Sequence, residues 1–181
     1  MNEQKEKINS LSKVICIFCK ITKVCIIIAM ILIAMAIGVT LLSLGQTEGI
    51  WTSVSNILSE DYIINGSLNV FYAVLEFTNA LISGVILYLL TDSTLNLFES
   101  IENSHTPFDI KNINIIKKIA NIMKILVIVP PVLSISIATI FQTTATINFN
   151  FSMILVVIVF YCLSEIFAYG AKLQKDADET L

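Results

Sequence analysis

The sequence predicts an all-α integral membrane protein, a four-helix bundle with both the N-terminus and the C-terminus cytoplasmic, and three observations predict it. First, 56% of the 181 residues are hydrophobic and 14% charged, more apolar than a soluble domain of this size needs for its core. Second, the apolar residues gather into four long runs. A hydrocarbon core of about 30 Å takes roughly 20 helical residues per crossing, so four crossings leave room for short loops and for no separate soluble domain. Third, all 11 basic residues are lysines, and a four-span topology puts every one on the same side. Lys5, Lys7, Lys13, Lys20 and Lys23 lie before or at the start of the first run; Lys111, Lys117, Lys118 and Lys124 lie around the start of the third; Lys172 and Lys175 follow the fourth. Lysines near span ends are retained in the cytoplasm, which sets both termini inside.

The chain therefore reads as one membrane domain, 1–181, with spans at about 21–44, 70–90, 121–141 and 151–169, an outside loop at 45–69 and a cytoplasmic loop at 91–120. Ala34-Met35-Ala36 in the first span resembles a signal-peptide cleavage site, but the run continues past it to Leu44, which favours an uncleaved anchor. The outside loop carries Glu48, Glu60 and Asp61 without a base, and Trp51, Tyr62 and Tyr72 stand where amphipathic rings meet the outer interface. Asn65-Gly66-Ser67 and Asn150-Phe151-Ser152 match a glycosylation sequon, a pattern short enough to arise by chance.

In the second span, Glu76, Asn79 and Ser83 follow at helical spacing and form an intramembrane polar face. A carboxylate in hydrocarbon is costly, so that face should turn inward and is a candidate ligand or proton site. Beyond it the helix is expected to continue to Asn103, with Leu95, Phe98 and Ile101 on one side and Glu99 and Glu102 on the other. Ser104-His105-Thr106-Pro107 breaks it. Asp109 is placed to cap a new helix whose Ile110, Ile113, Ile116 and Ile119 form one stripe and whose lysines fill the other face. Such a helix is expected to lie along the inner interface before turning into the membrane. Pro130 and Pro131 in the third span form a candidate hinge, because each removes an N–H and clashes with the preceding turn. The third connection is short and uncharged, making spans three and four an antiparallel hairpin.

Chemistry is sparse. Cys16-Ile17-Phe18-Cys19 has CxxC spacing, yet no second cysteine pair or histidine accompanies it. His105, the single histidine, sits in a turn without other ligands. No acid–base pair, nucleophile constellation or phosphate loop is present, so the sequence predicts no enzyme, no cofactor and no metal site. Direct nucleic-acid binding is not expected.

The inner ends carry the specific motifs. Thr106-Pro107-Phe108-Asp109-Ile110-Lys111-Asn112 leads to Lys117-Lys118-Ile119-Ala120, and the fourth span ends in Glu165-Ile166-Phe167, Gly170, Leu173-Gln174 and an acidic tail. Together these resemble the bacterial domain-of-unknown-function 2975 membrane proteins. Where members commonly carry a basic residue before the tail glycine, this chain has Ala168-Tyr169. The resemblance implies a four-pass protein of the bacterial cell membrane, often encoded beside an Xre-type helix-turn-helix regulator that it tethers, senses for or restrains. Abundant isoleucine, lysine and asparagine without arginine fit an AT-rich bacterial genome. Pro107, Phe108, Asn112, Glu165, Gly170, Leu173 and Gln174 are then the candidate partner-docking residues. The alternative is a small transport or bacteriocin-immunity protein working through Glu76, Asn79 and Ser83. Homo-oligomers are left open: Gly38 and Gly84 lie in spans, but no GxxxG pair marks a self-association face.

Overall fold

The computed structural model describes residues 2–42, 63–64, 67–103, 109–143 and 151–179. Trp51, Tyr62 and Asn65 of the first connection, the turn with His105, Pro107 and Phe108, and Asn150 in the third connection lie outside them. The element order is α1 (Asn2–Leu42), β1 (Ile63–Ile64), β2 (Ser67–Leu68), α2 (Val70–Asn103), α3 (Ile110–Phe141) and α4 (Phe151–Glu179). The architecture is all-α apart from the two-residue antiparallel ladder of β1 and β2, in which Ile63 pairs with Leu68 and Ile64 with Ser67.

Each helix contains a segment long and apolar enough to cross a membrane: Ser10–Leu42, Val70–Glu102, Ile110–Phe141 and Phe151–Asp176. Runs such as Ile26-Ile27-Ile28, rich in β-branched residues, are middling helix formers in water. In hydrocarbon they become helical because no water is there to satisfy a free backbone group.

Local chemistry sets the helix ends. Asn69 caps α2, its Oδ1 accepting the Tyr72 N–H at 3.1 Å, and Asp109 caps α3 by accepting the Lys111 N–H at 3.1 Å. At the far end of α3, Gln142 takes a left-handed conformation with φ of 54°. Thr143 N–H then donates to the Ala138 carbonyl at 3.0 Å and Gln142 N–H to that of Thr139 at 3.4 Å, a Schellman closure with glutamine where glycine is usual.

One expectation is corrected here. The lysine-rich segment after Asp109 and the third apolar run are a single helix, Ile110–Phe141, with Pro130 and Pro131 inside it, so no turn separates an interfacial helix from a span. The stripe is not spread on lipid headgroups either: Ile113, Ile116 and Ile119 are buried, and Ile110 alone of the four is exposed.

The chain forms two compact units, one of Met1–Ile26, Ile86–Val127 and Asn150–Leu181, the other of Ile27–Val85 and Ile128–Phe149. In the first unit, Leu97, Ile116, Ile119, Met123 and Val157 make the main core, with Leu90, Ile101, Phe160 and Phe167 packed against it. A second cluster joins Cys16 and Cys19 of α1 to Leu95 of α2, flanked by Ile15 and Phe98. In the second unit, the Tyr72 and Phe141 rings meet edge to face at 5.4 Å, and a Cβ at Gly84 would stand 2.9 Å from Met30 Cγ.

Candidate functional site

All the lysines described with partners belong to the first unit, where the helix ends are tied by charge. Lys13, Lys20 and Lys23 are spaced by seven and three residues along α1, which keeps them toward one side of the helix. Their partners descend α2 in the opposite order. Lys13 Nζ stands 3.9 Å from Glu102, Lys20 Nζ 3.3 Å from Glu99, and Lys23 Nζ 2.7 Å from Asp92. The third pair is the tightest: Lys23 donates a hydrogen bond to Asp92 Oδ1, and its ammonium also lies 4.8 Å from the centre of the Tyr88 ring, within cation–π range. Cys16 and Cys19 fill the apolar strip between these rungs against Leu95, so they pack the α1–α2 contact. Among the described residues no group of three or more His, Cys, Asp or Glu is arranged to hold a metal ion.

On α3 and α4, Lys117 pairs with Glu165 at 3.1 Å, and the Tyr161 hydroxyl donates to Asn121 Oδ1. Of the residues singled out for docking, Glu165 is therefore an exposed half of an ion pair. Asn112 is fully buried and lies out of reach of a soluble partner. Leu173 and Gln174 are exposed and Gly170 half-buried. Pro107 and Phe108 lie outside the described residues. The exposed apolar side chains Ile166, Tyr169 and Leu173 follow one another at helical spacing on α4.

The polar face of the second span belongs to the second unit and is smaller than its spacing suggests. Asn79 Nδ2 donates to the Pro130 carbonyl at 3.2 Å. Because a carbonyl only accepts, this fixes the amide's orientation and leaves Asn79 Oδ1 buried without a partner. Ser134 Oγ makes a long 3.4 Å contact to Glu76 Oε1. Ser83 turns its hydroxyl back to the Asn79 carbonyl at 2.9 Å, an intrahelical bond that spends its proton locally. Asn79 thus meets the carbonyl of Pro130 itself, not those of Leu126 and Val127, which the missing proline N–H groups leave free. Ser134 reaches for Glu76, and Ser136 donates to its own helix at Val132.

Sequence reasoning missed the α1–α2 ladder and Ser134. The ladder had a readable signal: lysines ascending through 13–23 and acids descending through 92–102 match in antiparallel register. Compared with protein-family models, with curated proteins and with solved structures, the chain matches none. Four long apolar helices are compatible with a multi-pass membrane protein.

Proposed function

We propose that this chain is a four-pass protein of a bacterial cell membrane with both termini in the cytoplasm. In this reading it acts without catalysis, tethering or restraining a soluble helix-turn-helix regulator at the inner face. The observation that carries the reading is the inner end of α4. A crossing uses roughly 20 residues, yet the helix runs 29 residues, from Phe151 to Glu179, and Leu173 stays 51% exposed beyond the crossing. The exposed stripe of Ile166, Tyr169 and Leu173 starts within the crossing and ends at Leu173 beyond it, where an exposed leucine suits a protein partner better than water. The Lys117–Glu165 pair holds α4 against α3 beneath it. The family resemblance supplies the partner's class, and the lysine partition supplies the side.

The test is recovery from native membranes of tagged chain, intact or ending at Gly170, with Phe108→Ala and Leu173→Ala/Gln174→Ala as finer variants. The intact chain should retain a protein bearing a helix-turn-helix domain and the shortened chain should lose it. Equal recovery by both forms, or retention by the alanine variants, would reject the docking surface.

A second reading, transport or bacteriocin immunity, is favoured by one feature: the unpartnered acceptor of Asn79 beside Glu76 in a membrane-crossing helix. Buried ionisable and polar groups at such depth commonly mark ligand paths. Loss of immunity or uptake in Glu76→Gln, with regulator recovery unchanged, would favour it.

A further inference from the structure

We propose that Lys118, Asn121 and Lys124, at the lysine-bearing end of α3, bind the phosphodiester headgroup of an anionic phospholipid.

The exposed surface of the helix changes character at this point. From Lys111 its exposed positions are Lys111, Asn114, Lys118, Asn121 and Lys124, and the next is Ile125, 45% exposed. Counting roughly 20 residues back from Phe141 puts the hydrocarbon edge near Ile122, so the change falls where the crossing ends. The headgroup layer adds about 5–7 Å on that side, or about four residues of helix. Lys118 and Asn121 therefore stand within that layer, and the long stem of Lys124 carries its ammonium back to it. Lys111 lies roughly 10 Å farther out, beyond the headgroups.

Charge selects the occupant. Lys13, Lys20, Lys23, Lys117 and Lys175 each meet a carboxylate. Lys118 and Lys124 are exposed and meet none among the described residues. Glu165, one turn along α4 from Tyr161, is engaged by Lys117 at 3.1 Å. Two uncompensated ammonium groups beside the hydrocarbon edge attract an anion, and a phospholipid headgroup is the anion a membrane holds at that depth. The cation of a zwitterionic headgroup would add a third positive charge to the two lysines, which favours a lipid of net negative charge.

Asn121 makes this more than a pair of charges. It follows Lys118 and precedes Lys124 by three residues each, so it lies between them on the helix surface. The Tyr161 hydroxyl of α4 donates to its Oδ1, which leaves the amide NH2, with two donors, as the open end of an exposed side chain. The three residues thus present donors only, and a phosphodiester presents acceptors only. Ile125, one turn into the hydrocarbon from Asn121, gives the acyl chains an apolar surface to lie on. These stretches of α3 and α4 belong to the first compact unit, and the inference rests on the membrane crossing of α3 and not on the regulator.

Native mass spectrometry of the full chain in neutral detergent, titrated with phosphatidylglycerol or phosphatidylcholine at about 0.15 M salt, reads the site. The natural chain should retain phosphatidylglycerol in preference. Each lysine near an anionic surface contributes about fivefold in affinity, so Lys118→Gln and Lys124→Gln should each weaken retention by about that factor and together by about 25-fold. Asn121→Leu, which keeps both charges, should cost about fivefold. Lys111→Gln, which removes the same charge more than a screening length away, should change retention less than about twofold. Equal retention of the two lipids, no loss in the double lysine variant or in Asn121→Leu, or an equal loss in Lys111→Gln would overturn the proposal. Displacement of the lipid by inorganic phosphate at the same concentration would mark a site for free anions and overturn it too.

Discussion

Replacing Asp92 with leucine removes the carboxylate that Lys23 meets at 2.7 Å, in a pair whose side chains are 20% and 36% exposed. A hydrogen bond to a charged group contributes about 1.5–3 kcal/mol, and the partial exposure of Asp92 screens it toward the lower end. The Tyr88 ring keeps its hold on the ammonium, worth about 0.5 kcal/mol at an exposed site, so it drops out of the comparison. A double-mutant cycle of Lys23→Met and Asp92→Leu should therefore give a coupling near 1.5 kcal/mol, about tenfold in the unfolding equilibrium. Lys13 and Glu102, separated by 3.9 Å with the lysine 66% exposed, should give less than about 0.5 kcal/mol in the same cycle. Denaturant titration in micelles, followed by far-ultraviolet circular dichroism, reads both. Equal coupling in the two pairs, or none at Lys23–Asp92, would refute the view that distance and burial grade this ladder.

Three further outcomes follow from the packing. Gln142→Gly should raise stability by about 1 kcal/mol in the same titration, because φ of 54° strains a residue with a Cβ. Ile119→Ala should cost about 2–4 kcal/mol, since Ile119 is fully enclosed among Leu97, Ile116 and Met123 and its removal leaves a cavity. Asn79→Leu should cost under about 1 kcal/mol, because it removes the bond to Pro130 together with an acceptor that has no partner; a loss above about 3 kcal/mol would show that the amide holds the prolines in place.

What could be read from the sequence was local. The cap at Asp109 and the extension of α2 to Asn103 were legible because a capping side chain and a 3.6-residue period act within a few residues. The ladder was legible only as matching charge spacing, because pairing Lys20 with Glu99 depends on how two distant helices register. The isoleucine stripe of α3 was visible, but its destination was misjudged: an apolar face beside lysines looks the same whether lipid headgroups or other helices cover it. Asn112 illustrates the same limit, since a polar residue in a motif gives no sign that packing has closed over it.

The account stands on the lysine-bearing helix ends facing the cytoplasm, and reporter fusions test that most directly. Alkaline phosphatase should be active when inserted in 45–69 or 142–150 and silent in 91–120 or after Leu181, with a fluorescent protein showing the reverse. Phosphatase activity after Leu181 would place the α4 stripe outside the cell and contradict both the topology and the proposed regulator surface.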